Sequence, residues 1–208
     1  MNAVALVLHV VALVVLFGVR SWAQHRRTGS TGFRGISGTP REAGWWGGVL
    51  FVAAVLLGLA APLLAVTGTV PADPPSVVAA AGLVLALGGF AATALAQAGM
   101  GASWRIGVDE AERTDLVTTG VFGHVRNPIF TAMVLAQLGM VLVVPTWVSA
   151  AALVALVVAV QLQVRVIEEP YLRRVHGQAY ADYAARTGRF LPRAGRSTAS
   201  AGATPGSR

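Results

Sequence analysis

The chain alternates between long apolar blocks and short polar segments. Apolar residues fill positions 3–19, 45–66, 76–98 and 129–164, and each block approaches or exceeds the ~18 residues that favour a membrane-spanning helix. The last block is long enough for two spans, and Pro145-Thr146 interrupts it near the middle. The pattern therefore predicts an all-α integral membrane protein with about five transmembrane helices, of which the last two form a tight helical hairpin.

Two polar segments flank this hairpin. The first ends in Arg126-Asn127-Pro128, and the second begins with Arg165-Val-Ile-Glu168-Glu169. Because the chain crosses the membrane on one arm and returns on the other, we expect Arg126 and Asn127 to meet the two glutamates at one membrane face. These residues form the candidate functional site.

Residue types in the two segments suggest individual roles. Asn127 before Pro128 is typical of a helix N-cap, and a helix start beside Arg126 favours an anion, either a ligand group or a glutamate of the chain itself. The i, i+4 spacing predicts that Arg165 pairs with Glu169. Glu168 is then the acid that we expect to face a ligand.

The polar segment after the hairpin has helical periodicity. Leu172, Val175, Ala179 and Tyr183 recur every three or four residues, which predicts an amphipathic helix on the cytoplasmic membrane face. Tyr180 lies one turn before Tyr183, where the two rings either close over a ligand or pack against the membrane. The predicted organisation is three N-terminal helices in residues 1–98, a functional core in 99–192 that contains the hairpin 129–166, and a disordered tail in 193–208.

Composition and charge narrow the class of protein. Hydrophobic residues make up 55% of the chain and charged residues 12%, against ~25% charged in soluble domains. All sixteen basic residues are arginines that flank the apolar blocks, so the positive-inside rule explains the net charge of +7 without nucleic acid. The same rule places the N-terminus outside and both polar segments in the cytoplasm. No cysteine and no HExxH motif is present, and we predict no metal site.

The ordered motifs resemble those of the isoprenylcysteine carboxyl methyltransferase family and its wider group of membrane-embedded methyltransferases, which includes phospholipid- and thiol-methylating members. The resemblance covers about residues 100–192. Where the family usually has His between the Arg and the Pro, this chain has Asn127. The motifs that carry the resemblance are Leu116-Val-Thr-x-Gly120-Val-Phe122, Arg126-x-Pro128, Glu168-Glu169-x-x-Leu172, Gly177-x-x-Tyr180-x-x-Tyr183 and Arg189-Phe-x-Pro192.

This resemblance implies S-adenosylmethionine as methyl donor, bound in a cytoplasmic cavity. It implies catalytic roles for Arg126, Glu168 and Arg165, the last near the place where the family has an arginine beside the acceptor. The positions expected to bind the donor are Thr114, Asp115, Leu116, Val117, Phe122, Asn127, Pro128, Ile129, Phe130, Glu168 and Tyr180.

The acceptor stays open at this level, as a lipophilic molecule or a small thiol or carboxylate. The absence of lysine and the richness in Ala, Arg and Val indicate a GC-rich bacterial genome. An inner-membrane protein acting on a lipid or a small thiol is then favoured over one acting on prenylated proteins. The alternatives are an NADPH-dependent membrane reductase of related architecture and a non-catalytic membrane scaffold.

Overall fold

The computed structural model describes residues 1–32, 35–36, 38–104 and 115–193. Thr114 and residues 194–208 of the predicted tail lie outside the described residues. Within the described ranges the fold is all-α, and its one β-bridge joins Val125 to Gly188. The α-helices are α1 (Asn2–Leu13), α2 (Arg20–Thr28), α3 (Ala43–Val66), α4 (Ser76–Gly99), α5 (Pro128–Val143), α6 (Trp147–Leu162) and α7 (Glu169–Arg186).

Five apolar helical stretches account for the predicted spans. A π-helical turn joins α1 to α2, so that Asn2–Thr28 is continuous, and four stretches are long and apolar enough to cross a membrane. The helix α5 is shorter, with 16 residues, or about 24 Å at 1.5 Å per residue. The prediction of an all-α membrane protein is confirmed. The four long stretches are Asn2–Thr28, Ala43–Val66, Ser76–Gly99 and Trp147–Arg186.

A tight turn joins α5 to α6, as the sequence predicts. Thr146 is the N-cap of α6, and its hydroxyl oxygen accepts a hydrogen bond from the backbone N–H of Ser149 at 3.2 Å. The Ser149 hydroxyl oxygen in turn accepts from the Thr146 N–H at 3.1 Å. This reciprocal capping box satisfies donors that an apolar environment would leave unpaired. The predicted hairpin is therefore confirmed.

Small residues let α4 and α5 approach until their backbones touch. A Cβ built on Gly89 of α4 would lie 2.5 Å from the Ala136 nitrogen of α5 and 2.7 Å from its Cα. Neighbouring Gly88 has nothing within 4 Å of such an atom. Because lipid offers no hydrophobic drive for helix association, close van der Waals contact of this kind holds the bundle together.

The stretch α6–α7 continues past the membrane. Its 40 residues measure about 60 Å, roughly twice the apolar layer of a bilayer, so that α7 lies beyond that layer. A π-helical turn at Gln163–Glu168 separates the two helices, and α7 is kinked at Gly177, whose φ is +51°. The kink rotates the second half of α7. The periodic set of apolar positions predicted from the sequence is therefore partly wrong, because Ala179 is exposed whereas Tyr180 is buried.

Candidate functional site

A cavity of about 250 Å³ lies where the hairpin meets its flanking polar segments. Its volume is near the lower end of the ~300–1,000 Å³ typical of small-molecule sites. Every residue that is expected to bind a methyl donor and that the structure describes lines this cavity, and so does Arg126. Those residues are Asp115, Leu116, Val117, Phe122, Arg126, Asn127, Pro128, Ile129, Phe130, Glu168 and Tyr180.

Backbone pairing brings the two polar segments together. The Arg126 N–H donates to the Gly188 carbonyl at 2.8 Å, and the Asn127 N–H donates to the Arg189 carbonyl at 3.1 Å. The Asn127 side-chain amide donates to that same Arg189 oxygen at 3.1 Å. The start of α5 is therefore fixed to the segment that follows α7, as the hairpin geometry predicts.

Glu169 is the acid at the centre of this junction. Its carboxylate accepts hydrogen bonds from Arg126 Nη2 at 3.1 Å and from Arg189 Nε and Nη2, each at 2.8 Å. Burial by itself raises the pKa of Glu169, but the bonds and charges of the two arginines outweigh it and hold the pKa below its ordinary value. The same bond raises the pKa of Arg189.

The predicted pairing of Arg165 with Glu169 is wrong. Arg165 is exposed and donates from Nε to Gln161 Oε1 at 2.6 Å, and it does not line the cavity. The π-helical turn at Gln163–Glu168 lies between the two residues, so the i, i+4 geometry of a regular α-helix does not hold there. Arg165 therefore lies outside the cavity that the other described site residues line.

Glu168 lines the cavity beside Glu169. Its Oε1 accepts a bond from the Gln163 side-chain amide at 3.4 Å. The two neighbouring acids differ in burial, since Glu169 is buried and Glu168 only half-buried. The choice of Glu168, rather than Glu169, as the acid that faces a ligand stays a prediction.

Arg126 joins three parts of the site. Besides its bond to Glu169, its Nη1 donates to the carbonyl oxygens of Ala184 at 2.8 Å and Thr187 at 2.5 Å. Its Nε is buried and has no hydrogen-bond partner among the described residues. Most of the guanidinium therefore organises the cavity wall, and its Nε–H is left for an acceptor oxygen.

Asn127 occupies the N-cap position of α5, but its side chain does not cap the helix. The amide donates to Arg189 instead, and the hydroxyl of Thr131 donates to the Asn127 carbonyl at 3.1 Å and to the Phe190 carbonyl at 2.9 Å. The position is predicted correctly, whereas the capping bond is not. The side chain serves the tertiary junction because Arg189 offers an acceptor there.

Two tyrosines of α7 close one side of the cavity. Tyr180 and Tyr183 are buried, and their rings meet edge to face with centroids 6.1 Å apart. The Tyr183 hydroxyl donates to the Phe122 carbonyl at 2.6 Å. The positive φ of Gly177, which favours glycine, sets the direction of this half of α7.

The N-terminal helices also line the cavity, which the sequence did not reveal. Phe17, from the π turn after α1, and Gly47, Phe51 and Val52 from α3 belong to its wall. Trp104 belongs to it as well, with the Arg20 guanidinium 4.7 Å from its ring centroid. Such apolar and small residues carry no chemical signature, and only the adjacent Gly47 and Gly48 near the start of α3 hint at a close approach.

The charged and potential metal-binding side chains of the site both bear on its chemistry. Asp115, Glu168, Glu169 and Arg126 are the charged residues of the lining, and Glu169 is neutralised by arginines. Among the residues that the structure describes, no group of three or more His, Cys, Asp or Glu side chains is placed to hold a metal ion.

The comparisons with known proteins assign this site to a family. Neither a curated protein nor a solved structure matches the chain significantly. Residues 76–179 match the model of the phospholipid methyltransferase family. The match begins at α4, includes the whole hairpin with Arg126 and both glutamates, and ends in α7 just before Tyr180. The chain is therefore a membrane protein that belongs to the phospholipid methyltransferase family.

Proposed function

We propose that the protein transfers a methyl group from S-adenosylmethionine to a lipid acceptor at the cytoplasmic face of the membrane. The observation that carries this proposal is that one cavity combines charged and apolar walls. Asp115, Glu168 and Arg126 lie on its polar side, whereas Phe51 and Val52 of α3 are apolar. A charged donor and a lipophilic acceptor find complementary surfaces in the same space.

The residues present fit this donor. Glu168 and Asp115 suit its ammonium and hydroxyl groups, since a carboxylate accepts charge-assisted hydrogen bonds. The buried Nε of Arg126 suits the carboxylate of the donor, and Phe122 and Tyr180 offer aromatic surface for its adenine. When bound, S-adenosylmethionine supplies an electrophilic methyl group on a sulfonium.

The chain contributes orientation and exclusion of water. The junction between residues 125–127 and 188–189 covers the start of α5, and the buried tyrosines of α7 close another side. Alignment in a dry site lowers the barrier of a displacement reaction without a dedicated base when the acceptor is already deprotonated.

The donor site is tested by calorimetric titration of the detergent-purified protein with S-adenosylhomocysteine. We expect saturable binding that is lost in Glu168→Gln and kept in Arg165→Gln, whose side chain is exposed and outside the cavity. Absence of binding in folded, monodisperse wild-type protein contradicts the proposal. The same cell then receives NADPH, because binding of that cofactor supports a reductase instead.

The acceptor is tested with vesicles. Val52 lines the cavity and is 47% exposed on the membrane-facing side of α3, so Val52→Trp should obstruct a lipid that approaches from the bilayer. We expect unchanged S-adenosylhomocysteine binding and reduced methylation of phosphatidylethanolamine in this variant. Val84→Trp, on an exposed position of α4 outside the cavity, is the matched control. Methylation of a small thiol but of no lipid contradicts a lipid acceptor.

A further inference from the structure

A second polar site lies within the membrane-spanning part of the bundle. His9 of α1 and Gln137 of α5 are 6% and 7% exposed. His9 Nδ1 and Gln137 Nε2 have no hydrogen-bond partner among the described residues. A buried polar group without a partner destabilises the fold, and helices in lipid ordinarily satisfy such groups internally. Two such groups side by side therefore indicate a ligand.

Both side chains reach the same point beside α3. A Cβ built on Gly58 would lie 2.8 Å from His9 Cε1, 3.1 Å from His9 Nε2 and 3.2 Å from Gln137 Oε1. His9 and Gln137 also line one cavity of about 50 Å³. That volume exceeds the roughly 10–15 Å³ that a water molecule needs. Both polar side chains therefore pack directly against Gly58, where a larger residue would displace them.

The rest of this small cavity is apolar. Leu13, Val55 and Leu156 belong to its lining, and Phe90 meets the His9 ring edge to face at 6.3 Å. Among the residues that the structure describes, no charged side chain lines this cavity, so a charged ligand would lack a counter-charge in a medium of low dielectric constant. The ligand group is therefore uncharged and small.

We propose that His9 and Gln137 bind an uncharged oxygen, carried by a hydroxyl group, a carbonyl group or water, in the interior of the membrane span. The amide end of Gln137 presents both a donor and an acceptor, and an imidazole nitrogen does either according to its tautomer. An oxygen with hydrogen-bonding capacity therefore satisfies both side chains at once. This goes beyond methyl transfer, since Phe17 and Met133 line both cavities and stand between the two sites.

The chain contains no cysteine, so a single introduced thiol reports on this cavity. Ala12 lines the cavity, whereas Val10 on the same helix is exposed to lipid. The full chain is reconstituted in phosphatidylcholine vesicles and treated with a membrane-permeant methanethiosulfonate, which reacts with a thiolate and needs water to form it. We expect modification of Ala12→Cys and none of Val10→Cys.

Removal of the polar pair should abolish that modification. His9→Phe together with Gln137→Met keeps similar volume and eliminates the hydrogen-bonding groups. Gly58→Ala is an independent variant that fills the space and keeps both groups, with Gly88→Ala as its matched control. An unreactive Ala12→Cys protein, or one whose reactivity survives the double substitution in monodisperse protein, overturns the proposal.

The source of the oxygen is distinguished by competition with 1-dodecanol and dodecane. Protection of the thiol by the alcohol alone assigns the site to a ligand hydroxyl. Protection by neither compound assigns it to water. Equal protection by both means that the space accepts any alkyl chain, which overturns a hydrogen-bonding role for His9 and Gln137.

Discussion

Replacing Glu169 by Gln should destabilise the folded protein far more than the same change at Glu168. The substitution keeps the size of the side chain and removes the charge that Arg126 and Arg189 share. The Arg126 side chain is 10% exposed and the Glu169 side chain 7%, so Arg126 would remain as an uncompensated charge with little water around it. Arg189 is 31% exposed and regains solvation more easily.

The size of the effect follows from this burial. Removing one partner of a buried ion pair costs about 3–5 kcal/mol, and the partial exposure of Arg189 places the junction near the lower end, about 3 kcal/mol. For a chain of this length, 1 kcal/mol shifts Tm by about 2–4 °C. Glu169→Gln should therefore lower Tm by about 6–12 °C.

Thermal denaturation in detergent, with Glu168→Gln measured alongside, checks this reasoning. Glu168 is half-buried, and its substitution should cost about 0.5 kcal/mol or less while it removes binding of S-adenosylhomocysteine. A Tm of Glu169→Gln within 2 °C of wild type, on the order of 1 kcal/mol or less, would refute the structural role of the junction. Equal losses of Tm in both variants would refute the division of roles between the two acids.

Three further perturbations test other parts of the fold. Burial raises the pKa of Glu169, but its arginine partners outweigh burial and hold that pKa below its ordinary value of 4.5. The stabilising contribution of Glu169 is therefore complete above about pH 4.5 and is lost as the pH falls through the lower pKa of the folded state. A series of melts should show Tm declining below pH 4.5 in wild type and less steeply in Glu169→Gln. Tyr183→Phe removes the 2.6 Å bond to the Phe122 carbonyl and should cost about 1–2 kcal/mol; an unchanged chemical-denaturation midpoint argues against that bond. Gly89→Ala forces a Cβ into the backbone of α5 and should lower the free energy of unfolding by about 1–3 kcal/mol, whereas Gly88→Ala should be neutral or stabilising. Similar melting temperatures for the two variants would contradict the close contact of α4 and α5.

Much of the architecture is readable from the sequence because bilayer thickness fixes helix length. The apolar block 129–164 is too long for one span, and Pro145-Thr146 interrupts it where a turn is needed, so the meeting of Arg126 with the glutamates follows from chain geometry alone. The resemblance to methyltransferases adds a prediction of which residues line the cavity. All the predicted donor-binding residues that the structure describes line one space.

Details of register are not readable in this way. The i, i+4 pairing rule assumes 3.6 residues per turn, and the π-helical turn at Gln163–Glu168 breaks that assumption. The rule therefore pairs Arg165 with Glu169, which in the structure pairs with Arg126 and Arg189. The kink at Gly177 likewise shifts the buried face of α7. The contribution of α3 escapes sequence reasoning because Phe51 looks like any lipid-facing residue.

The junction that closes the cavity also determines when the site is completed during synthesis. Arg126 and its acceptor Thr187 lie 61 residues apart in sequence, and Gly188 and Arg189 follow immediately. Ribosomal synthesis delivers the described candidate spans before these closing residues appear. A nascent chain therefore inserts into the bilayer with an open, incomplete site. The cavity wall is therefore completed last, after the described helices that form the rest of it have been synthesised.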